Sequence, residues 1–236
     1  MITAEKLYKK YGTLEAIKQV DIEIKENTLT YIVGPNGSGK TTFIKIVLGL
    51  VNPTSGNIIV NGEKLNGVYQ YRENIGYMPQ IASFPDNLTV KEILTLLKEI
   101  RNVKSFYDEE LITSLHLEKE FEKRIKNLSG GTKQKLNAVI AFLFNPSILI
   151  LDEPSAGLDP VSSSILKDKI LKEKNNGKTV LFTSHIMSEL EELAEEIIFI
   201  LEGNICFAGK KNDLIMITGE KNLERAIANI MLGLKL

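Results

Sequence analysis

Gly34-Pro35-Asn36-Gly37-Ser38-Gly39-Lys40-Thr41-Thr42 is the stretch whose reading decides the fold. A short apolar run, Thr30 to Val33, precedes it and reads as a buried strand, and the mostly apolar 43–48 after it read as a helix. Strand, glycine loop and helix, with Gly34, Gly39, Lys40 and Thr41 at the required spacing, match a phosphate-binding loop. Glycines let the backbone curl so that successive N–H groups point inward at one anion. The new helix aims its positive end at the same point. Lys40 brings a full charge to the terminal phosphates, and the Thr41 hydroxyl is suited to hold Mg²⁺. The plainer reading, a glycine-rich turn that only joins a strand to a helix, is outweighed by the complete motif in its proper context. By itself the loop implies a nucleoside triphosphate and nothing narrower.

The chain has 236 residues, 43% hydrophobic and 25% charged, which fits one sizeable domain or a core with a subdomain. A net charge of −1 carries no footprint of a nucleic-acid partner, and none is expected. The one cysteine, Cys206, excludes an internal disulfide and fits a reducing compartment. No run of apolar residues approaches the length of a membrane span, and the first residues carry no apolar signal segment.

Outside the loop the pattern divides. Residues 3–8 and 17–24 alternate and read as antiparallel strands with one wet face, joined through Lys9-Lys10-Tyr11-Gly12. Tyr11 reads first as a core or turn aromatic, with adenine stacking as the alternative. Asn61-Gly62 marks a tight hairpin. Ile75 to Met78 is a strand ending at Pro79-Gln80. A glutamine there is usually only a polar loop residue, but after a phosphate loop its amide oxygen could reach a metal. Helical spacing returns over 89–100 and 108–115, with no strand pattern from 89 to 127. This reads as a helical insertion into an α/β core. His116 lies in it and is read as structural.

Leu128-Ser129-Gly130-Gly131 opens a helix expected from about 132 to 144. Ser129 is an N-cap, and the capped start is a second anion site. Ser147 to Leu151 is a buried strand ending in Asp152-Glu153-Pro154. Ligand chemistry in parallel sheets gathers at such carboxyl ends. Asp152 is placed for the Mg²⁺ shell and Glu153 for a water. Further on come a helix at 161–175, a strand at 178–183 ending at Ser184-His185, a helix at 186–194, strands at 196–201 and 205–208, and one or two short helices over 210–236.

Together these residues resemble the ATP-binding subunit of ABC transporters, over residues 2 to about 210. Gly34 to Thr42 is similar to Walker A and Ile148 to Glu153 to Walker B. Leu128 to Gly131 resembles the family's own signature. Gln80 is similar to the Q-loop glutamine, Ser155 to Asp159 to the D-loop, and His185 to the switch histidine. The resemblance implies an α/β fold: a P-loop NTPase core with mixed sheet, an antiparallel β subdomain and an inserted helical subdomain. It divides the chain into 1–84 with 136–210 as core, 85–135 as helical subdomain and 211–236 as a helical tail.

It also implies roles. Tyr11 would stack on adenine, and Gly34, Pro35, Asn36, Gly37, Ser38, Gly39, Lys40, Thr41 and Thr42 would cradle the phosphates. Thr41, Gln80 and Asp152 would arrange Mg²⁺. Glu153 would be the general base, with His185 on the γ-phosphate. Ser129, Gly130 and Gly131 would close over the ATP of a second ATPase subunit in a head-to-tail dimer. The implied partner is a separate membrane permease, with the subunit cytoplasmic and peripheral on the inner face of the membrane. One departure stands out: Thr132 replaces the signature's usual glutamine, a change found among export-type subunits. The competing function is a soluble ABC-type ATPase of an assembly system, iron–sulfur assembly-like. The repair and translation ATPases of the family carry tandem units or a long coiled coil, which this chain lacks.

Overall fold

The computed structural model describes residues 1–65, 67, 69–101, 107–184 and 186–232. In chain order the elements are β1 (Ile2–Tyr11), β2 (Leu14–Ile24), β3 (Leu29–Val33), α1 (Lys40–Val47), β4 (Ser55–Val60), β5 (Glu63–Lys64), β6 (Ile75–Met78), α2 (Val90–Arg101), α3 (Glu110–Ser114), α4 (Gly130–Phe142), β7 (Ile148–Asp152), α5 (Pro160–Asn175), β8 (Thr179–Thr183), α6 (Met187–Leu193), β9 (Glu196–Leu201), β10 (Asn204–Lys210), α7 (Lys211–Thr218) and α8 (Leu223–Met231). They form two compact units, Met1–Arg72 with Thr179–Leu236, and Glu73–Lys178.

The first unit holds an antiparallel sheet in the order β2-β1-β4-β5. Beside it runs a mixed set in which β3 lies parallel to both β8 and β9, and β10 closes antiparallel on β9. Every residue of β3 is buried, which is why the strand reads as an unbroken apolar run. The hairpin β1–β2 is longer than the alternation suggests, reaching Tyr11 and Leu14. Lys6 and Gln19 adopt left-handed φ of 45° and 50°, and the register shifts along β1. Each bulge breaks the period of two, so Lys9 to Tyr11 look like loop in sequence. The β4–β5 turn is the expected one, with Asn61 and Gly62 at φ 51° and 82°.

In the second unit β6 and β7 pair in parallel from Ile75↔Ile148 to Met78↔Leu151. Gly76 lies where α4 crosses the strand. A Cβ there would press into the Ala141 carbonyl, so only glycine lets the helix lie this close. α4 begins two residues before the expected start because Gly130 and Gly131 join its first turn. α3 begins two residues later than expected. Asp108 stays outside it, and its Oδ1 accepts the Glu110 N–H at 3.1 Å.

The other Asp108 oxygen explains this. Its Oδ2 takes a hydrogen bond from Lys169 Nζ at 2.5 Å, and the same ammonium meets Glu110 at 2.8 Å and Glu173 at 2.7 Å. Glu173 also pairs with Lys178. Burial alone would push the Lys169 ammonium down, and the three carboxylates more than reverse it, leaving the group raised. Removing the cation would leave buried Asp108 without its counter-charge and Glu173 with Lys178 alone. Lys169→Met should therefore cost about 3–5 kcal/mol, read by denaturant unfolding. A change below about 1 kcal/mol would show that the cluster tolerates losing its centre.

Candidate nucleotide site

The sequence-predicted residues fall into two groups, one in each unit. The first is the loop 34–39 with the start of α1. Its shape depends on missing side chains. Gly39 sits at φ 114°, and a Cβ there would lie 2.5 Å from the Ala16 carbonyl oxygen. Gly34, at φ 155°, has no room either, because a Cβ would strike the Ile200 carbonyl and Ser38 Oγ. The loop is pinned from outside by Gly203 N–H on Ser38 O at 2.9 Å and closed inside by Ser38 N–H on Pro35 O at 3.1 Å.

Lys40 is buried and folds over this loop, donating to Gly34 O at 2.7 Å and Pro35 O at 3.1 Å. No acidic residue stands in the first turn of α1, and no side chain caps it. Ser38 Oγ is buried and has no hydrogen-bond partner among the described residues. An uncapped helix start, an unpartnered hydroxyl and a glycine cradle beside a lysine fit a phosphate chain. Thr41 is exposed and Thr42 half-buried at this helix start, the first with a hydroxyl suited to a hard cation. Tyr11 is 44% exposed and carries the Lys9 ammonium 4.8 Å from its ring centre.

The second group gathers at the carboxyl ends of β6 and β7. Gln80 Nε2 donates to Glu153 Oε2 at 3.1 Å, so the two loops meet side chain to side chain. The amide oxygen of Gln80, the atom suited to a metal, is the one Glu153 does not engage. Asp152 is buried at the end of β7. It lies near Tyr77, whose phenol is pushed up to about 12, first by burial and then by that carboxylate. Glu153 has a left-handed φ of 49°, a conformation that costs a residue with a Cβ about 1–2 kcal/mol. Such strain persists only where the surrounding structure holds it.

Ser129 caps α4 as expected, its Oγ accepting the Thr132 N–H at 3.1 Å. Gly130 is open to solvent, whereas a Cβ on Gly131 would approach the Gly157 carbonyl to 3.0 Å. Lys135 reaches Asp159 Oδ2 at 3.4 Å. Asp159 caps α5, and the Ser162 hydroxyl and N–H, with Lys135 behind them, hold its carboxyl well below the usual range. His185 lies outside the described residues.

Two polar residues of α4 escaped the sequence reading. Asn137 is buried and donates to Pro79 O at 2.8 Å and to Gln134 Oε1 at 3.3 Å. Gln134, also buried, donates to Pro154 O at 3.4 Å. The helix behind the signature thus holds the carbonyl before Gln80 and the carbonyl after Glu153. The available signal was polar residues among buried Leu, Ala, Val and Phe.

Comparison with known proteins gives the class. The family model described as ABC transporter matches residues 17–156, and the chain belongs to that family. It is 34% identical over 227 residues to an uncharacterized ABC transporter ATP-binding protein of Bacillus subtilis, covering 94% of this chain and 76% of that one. It is 30% identical over 220 residues to Nod factor export ATP-binding protein I of Cupriavidus pinatubonensis, covering 91% and 68%. A dimeric ATP-binding cassette solved in a post-hydrolysis state with ADP and Pi superposes with a TM-score of 0.80 at 27% identity, covering 89% and 98%.

Asn137→Leu should leave the Pro79 carbonyl unpaired and destabilise the protein by about 1–3 kcal/mol. Asn137→Asp should cost at least as much, because a carboxylate cannot donate to that carbonyl and would be buried against acceptors. Thermal melting of both variants checks this. A wild-type melt for either removes Asn137 as the support of the Gln80 loop.

Proposed function

We propose that both groups serve ATP hydrolysis in the motor subunit of an ABC transporter. The observation that carries this is Gln80 on Glu153 at 3.1 Å, at the end of a strand whose last residue is the buried Asp152. A binding module needs the glycine loop alone; a carboxylate pair held beside an amide is equipment for directing a water.

Lys40 and the amides of 34–42 bind the phosphates, and Tyr11 takes the adenine ring. Thr41, Gln80 and Asp152 are the oxygen donors for Mg²⁺. Bound there, Mg²⁺ supplies charge neutralisation on the phosphate oxygens. A water oxygen attacks the γ-phosphorus in line, the bond to ADP breaks, and the water's proton passes to Glu153. His185 meets the γ-phosphate. Ser129, Gly130 and Gly131 close over ATP held by the loop of a second ATPase subunit, head to tail. ATP binding joins the copies and hydrolysis frees them.

The motor acts on a separate membrane permease. Among the described residues no helix is long and apolar enough to cross a membrane. In this reading that partner holds the subunit peripherally on the cytoplasmic face. The docking segment is 81–88, where Ile81 is 80% exposed and Phe84 half-buried. The direction we assign is export, on Thr132 in the signature and on a relative named for export.

Glu153→Gln keeps shape and loses the proton acceptor. Hydrolysis should fall by on the order of 10²–10⁴ while ATP binding persists. A wild-type rate would remove Glu153 as the base. Phe84→Asp should leave melting and ATP binding of the isolated subunit unchanged and abolish its recovery with the permease, since a carboxylate buried there is costly. An unchanged pull-down would put the coupling surface elsewhere, and a collapsed melt would make Phe84 core.

A further inference from the structure

Thr132 is where the signature departs from its usual form, and its hydroxyl has a partner. Thr132 Oγ1 lies 2.8 Å from Ser129 Oγ, the same atom that accepts the Thr132 N–H at 3.1 Å. Ser129 is exposed and Thr132 half-buried, so the serine is the outer member of the pair.

A serine hydroxyl has one proton and two lone pairs. One lone pair is taken by the Thr132 N–H. The hydroxyl–hydroxyl contact can run either way. If Ser129 donates, its one proton turns back into its own chain, and its remaining lone pair faces outward. That arrangement repels a phosphate oxygen. If Thr132 donates, both Ser129 lone pairs are engaged, and the serine proton has nowhere to go but outward. It then joins the amides of the helix start as a donor aimed at an anion.

We propose that Thr132 is a positioning residue: its hydroxyl donates to Ser129 Oγ and so turns the Ser129 O–H toward the terminal phosphate of ATP on the second copy. This rests on the proposed trans role of Ser129. It adds that the departure at 132 replaces one way of directing the signature with another. The methyl of Thr132 has no part in it; the hydroxyl does.

The test is ATP-driven dimerisation, followed by sedimentation in the slowly hydrolysing Glu153→Gln background. Ser129→Ala reports on the underlying reading, and Thr132→Val removes the hydroxyl at constant shape. Thr132→Ser restores the hydroxyl without the methyl. Losing one such hydrogen bond should weaken closure about fivefold per site, or roughly 25-fold over the two sites of a symmetric dimer. Thr132→Val should show that loss with unaltered ATP binding to the monomer and an unaltered melt, and Thr132→Ser should recover the parent value. If Ser129→Ala loses the dimer while Thr132→Val keeps it, the inference fails and the trans reading stands. If Thr132→Ser is as weak as Thr132→Val, packing rather than proton direction is at work, and the inference again fails. If Ser129→Ala dimerises like its parent, the trans reading fails and this inference with it.

Discussion

The phosphate loop is held by neighbours that tolerate no side chain. Gly39 lies against the Ala16 carbonyl of β2 and Gly34 against the Ile200 carbonyl of β9. Gly203, in the turn after β9, ties Ser38 by its N–H. The loop's curve therefore depends on where the antiparallel hairpin and β9 already stand. Lys40 then folds onto the carbonyls this curve presents. The antiparallel sheet is thus part of the site, since moving β2 would move the wall against which Gly39 rests.

The second unit reaches the same end by polar contacts. α4 lies on β6 because Gly76 has no Cβ. From that position Asn137 and Gln134 take the Pro79 and Pro154 carbonyls. Gln80 follows Pro79, Glu153 precedes Pro154, and the two side chains meet each other. A helix that begins at the signature thus fixes the backbone on both sides of the amide–carboxylate pair. The left-handed Glu153 is sustained by this surrounding network, as a strained residue at a working site must be.

Much of this was legible in sequence. The glycine loop, the buried strand before it and the acid-ended strand β7 are local patterns, and each formed where its residues put it. The boundaries that moved did so for tertiary reasons. Bulges at Lys6 and Gln19 hid the end of β1, and Lys169, distant in sequence, drew Asp108 out of α3. The one mark of Asn137 was its polarity among buried apolar residues; its partner was illegible, because a backbone carbonyl leaves no mark on the residue that supplies it. The Gln80–Glu153 contact was foreshadowed only as two polar residues at two strand ends. Parallel pairing of β6 and β7 is what makes them neighbours.

The two helix starts differ in a way that bears on how a motor cycles. Among the described residues α1 begins with no side-chain cap and no acid in its first turn, which leaves its start open to an anion. An anion there answers a standing deficit, which favours tight and persistent binding. α4 begins with Ser129 already capping it. With the Ser129 O–H turned outward as proposed, that donor is surplus to the helix, and its departure from a phosphate would leave the cap in place. The first arrangement suits holding a nucleotide, the second suits grasping and releasing one. The proposed cycle, in which a chain binds ATP in one place and closes on it from another, needs both kinds of helix start, and the residues before α1 and α4 supply one of each.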